Sequence, residues 1–148
     1  MRLWHKDLIP VLPRQQLLGQ WRECCLIAKL IAEKGTPNHI LVNKILDYPL
    51  EDFFSYGMGV AAELFKRGCK VTQKSMVDFT NNIGAHDVTA LIYVPREEVF
   101  FDWHNPRYLT QCYYNLQEKY DCGGISREEW EPISRLMNSI DSLWLFHA

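Results

Sequence analysis

Apolar residues recur at helical spacing over most of the chain, and the first such stretch predicts a long helix from about Arg14 to Lys34. Gly35 stands directly after this stretch and Pro37 follows, which is the usual order of residues at the end of a helix. The side chains that we expect this helix to bury are those of Leu17, Trp21, Cys24, Ala28 and Ile31.

The same predicted helix has a polar side. Gln16, Gln20 and Glu23 recur at i, i+4 and i+7, so they follow one face of the helix and are not scattered around it. Glu23 can therefore face a ligand.

Helical spacing returns in two later stretches, from about Pro49 to Gly68 and from about Pro106 to Tyr120. Proline is well suited to the first position of a helix, which agrees with the start of both stretches. A last helix is predicted from Glu131 or Pro132 to about Phe146, because Pro132 would break a helix that began earlier.

Shorter segments connect these helices. Ser126 and Glu129 have the spacing of a capping box, in which a hydroxyl and a carboxylate satisfy the free N–H groups of a helix start. Lys70–Phe79 is predicted as a loop or a short helix. The β-branched and aromatic run Thr89–Val94 is predicted as a single extended segment.

Length and composition favour one compact, mainly helical (all-α) domain over residues 1–148, because 148 residues with 47% hydrophobic content can close one core. Five cysteines without a C-x-x-C pair favour reduced thiols over a disulfide framework. The histidines are not spaced to share a metal, so we predict no metal and no cofactor. No apolar run approaches the roughly 18 residues that cross a membrane, and the expected location is the cytoplasm. The oligomeric state stays open.

The net charge of −2 argues against a chain that is basic throughout, as many nucleic-acid-binding proteins are. Charge is unevenly distributed, however. Residues 1 to 34 hold six basic side chains against three acidic ones, so the N-terminal part is electropositive.

The start of the chain offers imine chemistry. An α-amine has a pKa of about 7.7 to 8.0, so roughly a tenth of it is the neutral nucleophile at neutral pH. We expect the large side chain of Arg2 to block removal of Met1, which would leave the amine on Met1. If that amine attacked C1′ of a deoxyribose, Glu23 would stabilise the resulting positive charge and move protons. Arg2 and Arg22 would hold the flanking phosphates.

Several sequence blocks resemble the endonuclease V-type pyrimidine-dimer DNA glycosylases. The first helix carries the family's spacing of Leu12, Gln15, Leu17, Arg22 and Glu23. The blocks Asp47–Phe53 and Ala62–Gly68 look like the family's second helix, and Gly35–His39 looks like the turn that precedes it.

The resemblance implies an all-α fold, damaged duplex DNA as the partner, and combined N-glycosylase and abasic-site lyase activity. Carried over to this chain, it makes Met1 the amine nucleophile and Glu23 the catalytic carboxylate, with Arg2 and Arg22 as substrate-binding residues. Further candidates for substrate binding are Gln15, Gln16 and His39. The chain departs from the family pattern, which has a threonine amine, a histidine at position 16 and an arginine at position 26.

Other interpretations stay open at this point. His39 is as suited to a capping bond in its turn as to a phosphate contact, and the aromatic cluster Trp103–Tyr108 could stack on an extruded base or simply fill the core. Trp4 is expected in the core, where it would anchor the N-terminal segment. The competing functions are a non-catalytic helical nucleic-acid-binding module on the same scaffold and a protein-interaction domain.

Overall fold

The computed structural model describes residues 1–84 and 92–147, with side chains described as far as residue 140. Five α-helices follow one another, and two short 3-10 helices, Lys6–Val11 and Asn43–Asp47, lie before α1 and α2. The helices are α1 (Arg14–Lys34), α2 (Leu50–Lys66), α3 (Gln73–Gly84), α4 (Pro106–Asp121) and α5 (Arg127–His147). The fold is all-α, and the described ranges contain no β-strand.

The predicted bounds of α1 are confirmed, and those of α2 and α4 agree within two residues. α1 ends at Gly35, whose positive φ of 75° is favourable for glycine and whose N–H donates to the carbonyl of Ile31. At the start of α4 the Asn105 side chain accepts from the N–H of Tyr108, and Pro106 occupies the first helical position.

The predicted start of the last helix was wrong, because α5 begins at Arg127 and contains Pro132. Ser126 forms the expected cap, accepting from the N–H of Glu129 at 3.2 Å. The Trp130 ring stacks on Tyr120 with ring centroids 4.9 Å apart. Proline removes one hydrogen bond near the helix start, and the cap and this aromatic contact hold the first turn in place.

The described part of the chain between α2 and α4 is partly helical. The segment Lys70–Phe79, predicted as a loop or a short helix, belongs to the helix α3 from Gln73 onward. The first half of the predicted extended segment, residues 89–91, lies outside the described residues. Ile92–Val94 adopt no regular secondary structure.

One continuous cluster of buried apolar side chains connects the helices. α1 packs against both α2 and α3, and α4 packs on α5. No helix in the described part of the chain is both long enough and apolar enough to pass through a membrane.

α2 and α3 approach each other at Gly57. A Cβ atom placed on Gly57 would lie 2.2 Å from Cζ of Phe79. The Phe79 ring is fully buried and cannot yield easily, because it also contacts the rings of Trp21 and Phe53. Only a residue without a side chain fits this position.

We therefore predict that Gly57→Ala destabilises the fold by about 1–3 kcal/mol through overpacking. Gly59→Ala on the same helix is the matched control, because its Cβ would meet nothing within 4 Å. That variant should be neutral or gain up to about 1 kcal/mol from reduced chain entropy. Urea unfolding of the three proteins measures both effects, and equal stabilities would contradict the close approach.

Candidate active site at the buried N-terminus

The segment that follows Arg2 is buried in the core, although its residues Leu3, Trp4 and His5 belong to no helix. Leu3, Trp4, His5 and Lys6 are all buried. A buried backbone needs hydrogen-bond partners, and here side chains of the surrounding helices supply them. The N–H of Trp4 donates to Oε1 of Gln20 at 2.7 Å, and its carbonyl accepts from the Tyr56 hydroxyl at 2.6 Å.

Gln20 links this segment to the candidate catalytic carboxylate. Its side chain is 1% exposed, and its Oε1 also accepts from the Tyr56 hydroxyl at 3.0 Å. Its Nε2 donates to the carbonyl of Arg2 at 3.0 Å and to Oε2 of Glu23 at 3.5 Å. One buried amide therefore fixes the N-terminal segment and Glu23 relative to each other.

The residues 98–108 hold the segment from the other side. The Tyr108 hydroxyl donates to the carbonyl of Leu3, and the N–H of Lys6 donates to Nδ1 of His104 at 2.9 Å. The Lys6 ammonium donates to the carbonyl of Val99 at 2.6 Å. The expectation that Trp4 is buried is confirmed, but polar partners anchor the segment along with apolar packing.

Glu23 lies beside the terminal amine. Its Oε2 accepts from the N–H of Arg2 at 3.2 Å. Because consecutive backbone nitrogens are at most about 3.7 Å apart, the Met1 amine lies within about 7 Å of that oxygen. Among the described residues no ion pair joins the amine to a carboxylate. Glu23 is therefore near the amine without forming a direct salt bridge with it.

Met1, Arg2 and Glu23 line one open cavity of about 450 Å³. Residues of α4 and of the position after its C-terminal end complete the wall of the cavity. None of these residues was predicted from the sequence as part of the site. The complete lining is Met1, Arg2, Trp4, Glu23, Asn115, Glu118, Lys119 and Cys122. Nothing in the periodicity of the sequence shows that α4 packs beside the N-terminus, so these α4 residues could not be assigned from it.

Lys119 is chemically important because it brings a second amine to the cavity. The cavity is therefore lined by two residues that carry an amine, Met1 at the chain terminus and Lys119 on α4.

The other predicted site residues lie outside this cavity. Gln15 and Arg22 are exposed, and they share one face of α1 with Leu26 and Lys29. Gln16 is half-buried, and its Oε1 has no hydrogen-bond partner among the described residues. The structure thus separates the predicted site residues into Met1, Arg2 and Glu23 at the cavity and a solvent-facing set along α1.

His39 lies in the turn after α1 and not at the amine. Its Nδ1 accepts from the N–H of Leu41 at 3.3 Å, and its own N–H donates to Oδ1 of Asn43 at 3.0 Å. Of its two open interpretations, the structure shows the capping bond.

A second cavity of about 290 Å³ shares Arg2 with the first. The Arg2 guanidinium lies over the Trp4 ring, 5.3 Å from its centroid, in a cation–π contact. The aromatic cluster is divided by this arrangement, because Trp103 and Tyr108 line the second cavity whereas His104 is buried behind them.

Two neutral histidines lie beneath the site. His5 and His104 stack with ring centroids 5.1 Å apart. Burial lowers the pKa of His104 well below its usual value, and the neighbouring His5 and Lys6 lower it further. Burial also lowers the pKa of His5, although nearby Asp7 acts in the opposite direction.

Within the ranges that the structure describes, no three His, Cys, Asp or Glu side chains come together as a metal site would require. The residues that line the cavity instead carry two amines, a guanidinium, two carboxylates, an amide, an indole and a thiol. This donor set suits amine and proton-transfer chemistry on an anionic substrate.

Comparison with known families identifies the family of the chain. A family model described as pyrimidine dimer DNA glycosylase matches residues 1–76, which include Met1, Arg2 and Glu23. The chain belongs to this family, as the sequence resemblance predicted, and the family name indicates a DNA glycosylase role. No curated protein and no solved structure gives a significant match. The matched range ends before α4, which forms the other wall of the cavity.

Acid should weaken the anchor of the N-terminal segment. Because the folded state keeps His104 neutral, the unfolded chain binds more protons below pH 6.5, and stability falls as the pH decreases. One such histidine contributes a slope of up to about 1.4 kcal/mol per pH unit. We expect His104→Asn, whose amide oxygen can still accept from Lys6 but does not titrate, to reduce this slope between pH 6.5 and 5. Urea unfolding at several pH values measures it, and an unchanged slope would contradict the buried neutral state.

Proposed function

We propose that the protein is a DNA repair enzyme that removes a damaged base and cleaves the strand through an imine on the Met1 amine. The observation that carries this proposal is the cavity that Met1, Arg2 and Glu23 line together. In it the Glu23 carboxylate accepts a hydrogen bond from the N–H of Arg2, the residue directly after the amine. Pyrimidine dimers or related lesions in duplex DNA are the proposed substrates. The free state of all five cysteines supports action in the reducing cytoplasm.

In the first step the lone pair of the Met1 amine attacks C1′ of the damaged nucleotide. The C1′–N bond to the base breaks and the base leaves with the bonding electrons. Glu23 then takes a proton from the new C1′ amine, the nitrogen lone pair forms the C=N bond as the C1′–O4′ bond opens, and O4′, which keeps that bonding pair, receives the proton; a cationic imine between Met1 and C1′ results. The nearby Glu23 carboxylate stabilises this charge, and no metal ion is needed for the step.

In the second step the imine makes the C2′ hydrogen acidic. Glu23 accepts a proton from C2′, the electrons of that C–H bond form a C2′=C3′ double bond, and the C3′–O bond breaks so that the 3′ phosphate leaves with its electron pair. Water then hydrolyses the imine and regenerates the amine. The fixed relation of Gln20 to both Arg2 and Glu23 supports this assignment, because positioned groups transfer protons efficiently.

Substrate binding divides between the cavity and the exposed face of α1. Arg2 and Lys119 supply positive charge at the reacting sugar, and Arg22 can bind a phosphate outside it. Gln15 lies on the same exposed face of α1 as Arg22 and would contact the DNA backbone there. Gln16 and His39 have weaker support, because Gln16 lies outside the cavity and His39 is engaged in its turn.

The direct test is borohydride reduction of the imine on abasic-site DNA. We expect a covalent adduct that maps by mass spectrometry to Met1. Glu23→Gln keeps the shape of the side chain but removes its charge, so adduct formation should fall at least a hundredfold, a loss of about 2.7 kcal/mol in transition-state stabilisation.

Two controls separate the amines of the cavity. Lys119→Met should retain the Met1 adduct, whereas two residues added before Met1 should abolish it. Well-folded protein that gives no adduct, or an adduct on Lys119, would contradict the assignment. Salt-sensitive binding without cleavage would indicate the non-catalytic nucleic-acid-binding module, and no binding at low salt would favour a protein-interaction domain.

The exposed face of α1 gives a second prediction. Leu26 is 45% exposed and lies one helical turn from Arg22, at the position where the family pattern has an arginine. Leu26→Arg should add one phosphate contact, which tightens DNA binding and steepens the plot of log K against log salt by about 0.9. Leu26→Gln is the uncharged control. Equal salt dependence in all three proteins would show that this face does not meet DNA.

A further inference from the structure

A rigid turn with an apolar tip lies next to the candidate active site. In the turn His39–Val42 the N–H of Val42 donates to the carbonyl of His39 at 3.0 Å, which places Ile40 and Leu41 at its tip. The flanking Val42 is fully buried, and it anchors the turn in the core.

Side chains before and after the tip also hold the turn. Nδ1 of His39 accepts from the N–H of Leu41, and Oδ1 of Asn43 accepts from the N–H of His39. The Thr36 hydroxyl accepts from the N–H of Asn38, which adopts a positive φ of 52°. This network gives the tip a defined shape.

The residues at the tip are unusual for such a place. Turn tips favour Gly, Pro, Asn, Asp and Ser, whereas this one carries two large aliphatic side chains. Ile40 is 88% exposed and Leu41 is 52% exposed. Neither contributes much to the core, so the fold alone does not explain them.

The surroundings of the tip indicate what it meets. Ile40 and Leu41 line the second cavity together with Arg2, which also lines the cavity of Met1 and Glu23. The exposed Lys44 lies on the same wall. Arg2 and Lys44 thus bring positive charge to the cavity of the apolar tip, and Lys44 also pairs with Asp47 at 3.6 Å on the surface. An apolar tip accompanied by cations complements an opened base step of DNA, where apolar base faces lie near phosphates.

We propose that Ile40 and Leu41 form a wedge that enters the base stack of duplex DNA beside the damaged nucleotide. This inference rests on the proposed function and names the residues that open the duplex. An enzyme that reacts at C1′ must expose a nucleotide that stacking keeps inside the helix. Apolar side chains inserted between base steps unstack them, while Arg2 and Lys44 bind the phosphates on either side.

The wedge predicts different behaviour on duplex and single-stranded DNA. The variant Ile40→Ser/Leu41→Ser should cleave an abasic site in duplex DNA at least tenfold more slowly than wild type. Its cleavage of the same site in single-stranded DNA should stay within twofold, because no stack has to be opened. With 2-aminopurine placed beside the abasic site, its fluorescence should rise when wild-type protein binds, and the double variant should lose most of that rise.

Val77→Ser is the matched control, because Val77 is also an exposed aliphatic residue, on α3. It should behave as wild type in all three assays. Unchanged duplex cleavage by the double variant, or an equal loss on both substrates, would overturn the wedge. So would a change in oligomeric state of the double variant with normal fluorescence, which would indicate a surface for protein contacts. If wild type cleaves neither substrate, the proposed function fails, while the fluorescence on binding still tests the wedge.

Discussion

The whole site depends on how the buried backbone of the N-terminal segment is satisfied. Helices and sheets pair their own N–H and C=O groups, but this segment belongs to neither, so side chains from elsewhere must do so. Gln20, Tyr56, Tyr108 and His104 supply these partners from α1, α2, α4 and the residue stretch just before α4. Losing one partner leaves a buried polar group unpaired, at a cost of about 1–3 kcal/mol. The position of the terminal amine is therefore coupled to the stability of the fold.

The same interactions explain how the site is divided along the chain. Gln20 and Glu23 lie about one turn apart on α1, so one side chain fixes the segment and the other faces the amine. The family model covers the N-terminal segment and α1, whereas α4 lies beyond the matched residues and provides Lys119. Amine and carboxylate thus come from the part shared with the family, and the opposite wall comes from the rest of the chain.

Local patterns in the sequence predicted most of the fold, and they also placed Glu23 on a polar face of α1. Helix bounds are encoded locally by residues such as Gly35 and Pro106, so they could be predicted from the sequence. Pro132 was misleading because the cap at Ser126 and the packing of Trp130 outweigh one lost hydrogen bond. The role of α4 in the site and the hydrogen bonds of Gln20 depend on tertiary contacts between residues far apart in sequence, which periodicity does not contain.

The central claim is that the buried segment presents the Met1 amine to a sugar beside Glu23. A crystal structure of the borohydride-reduced complex with abasic-site DNA tests it most directly. We predict a bond between the Met1 nitrogen and C1′, with the Glu23 carboxylate within hydrogen-bond distance of that nitrogen or close to C2′. A bond from Lys119 to the sugar, or a Glu23 side chain turned away from a sugar bound at Met1, would contradict it.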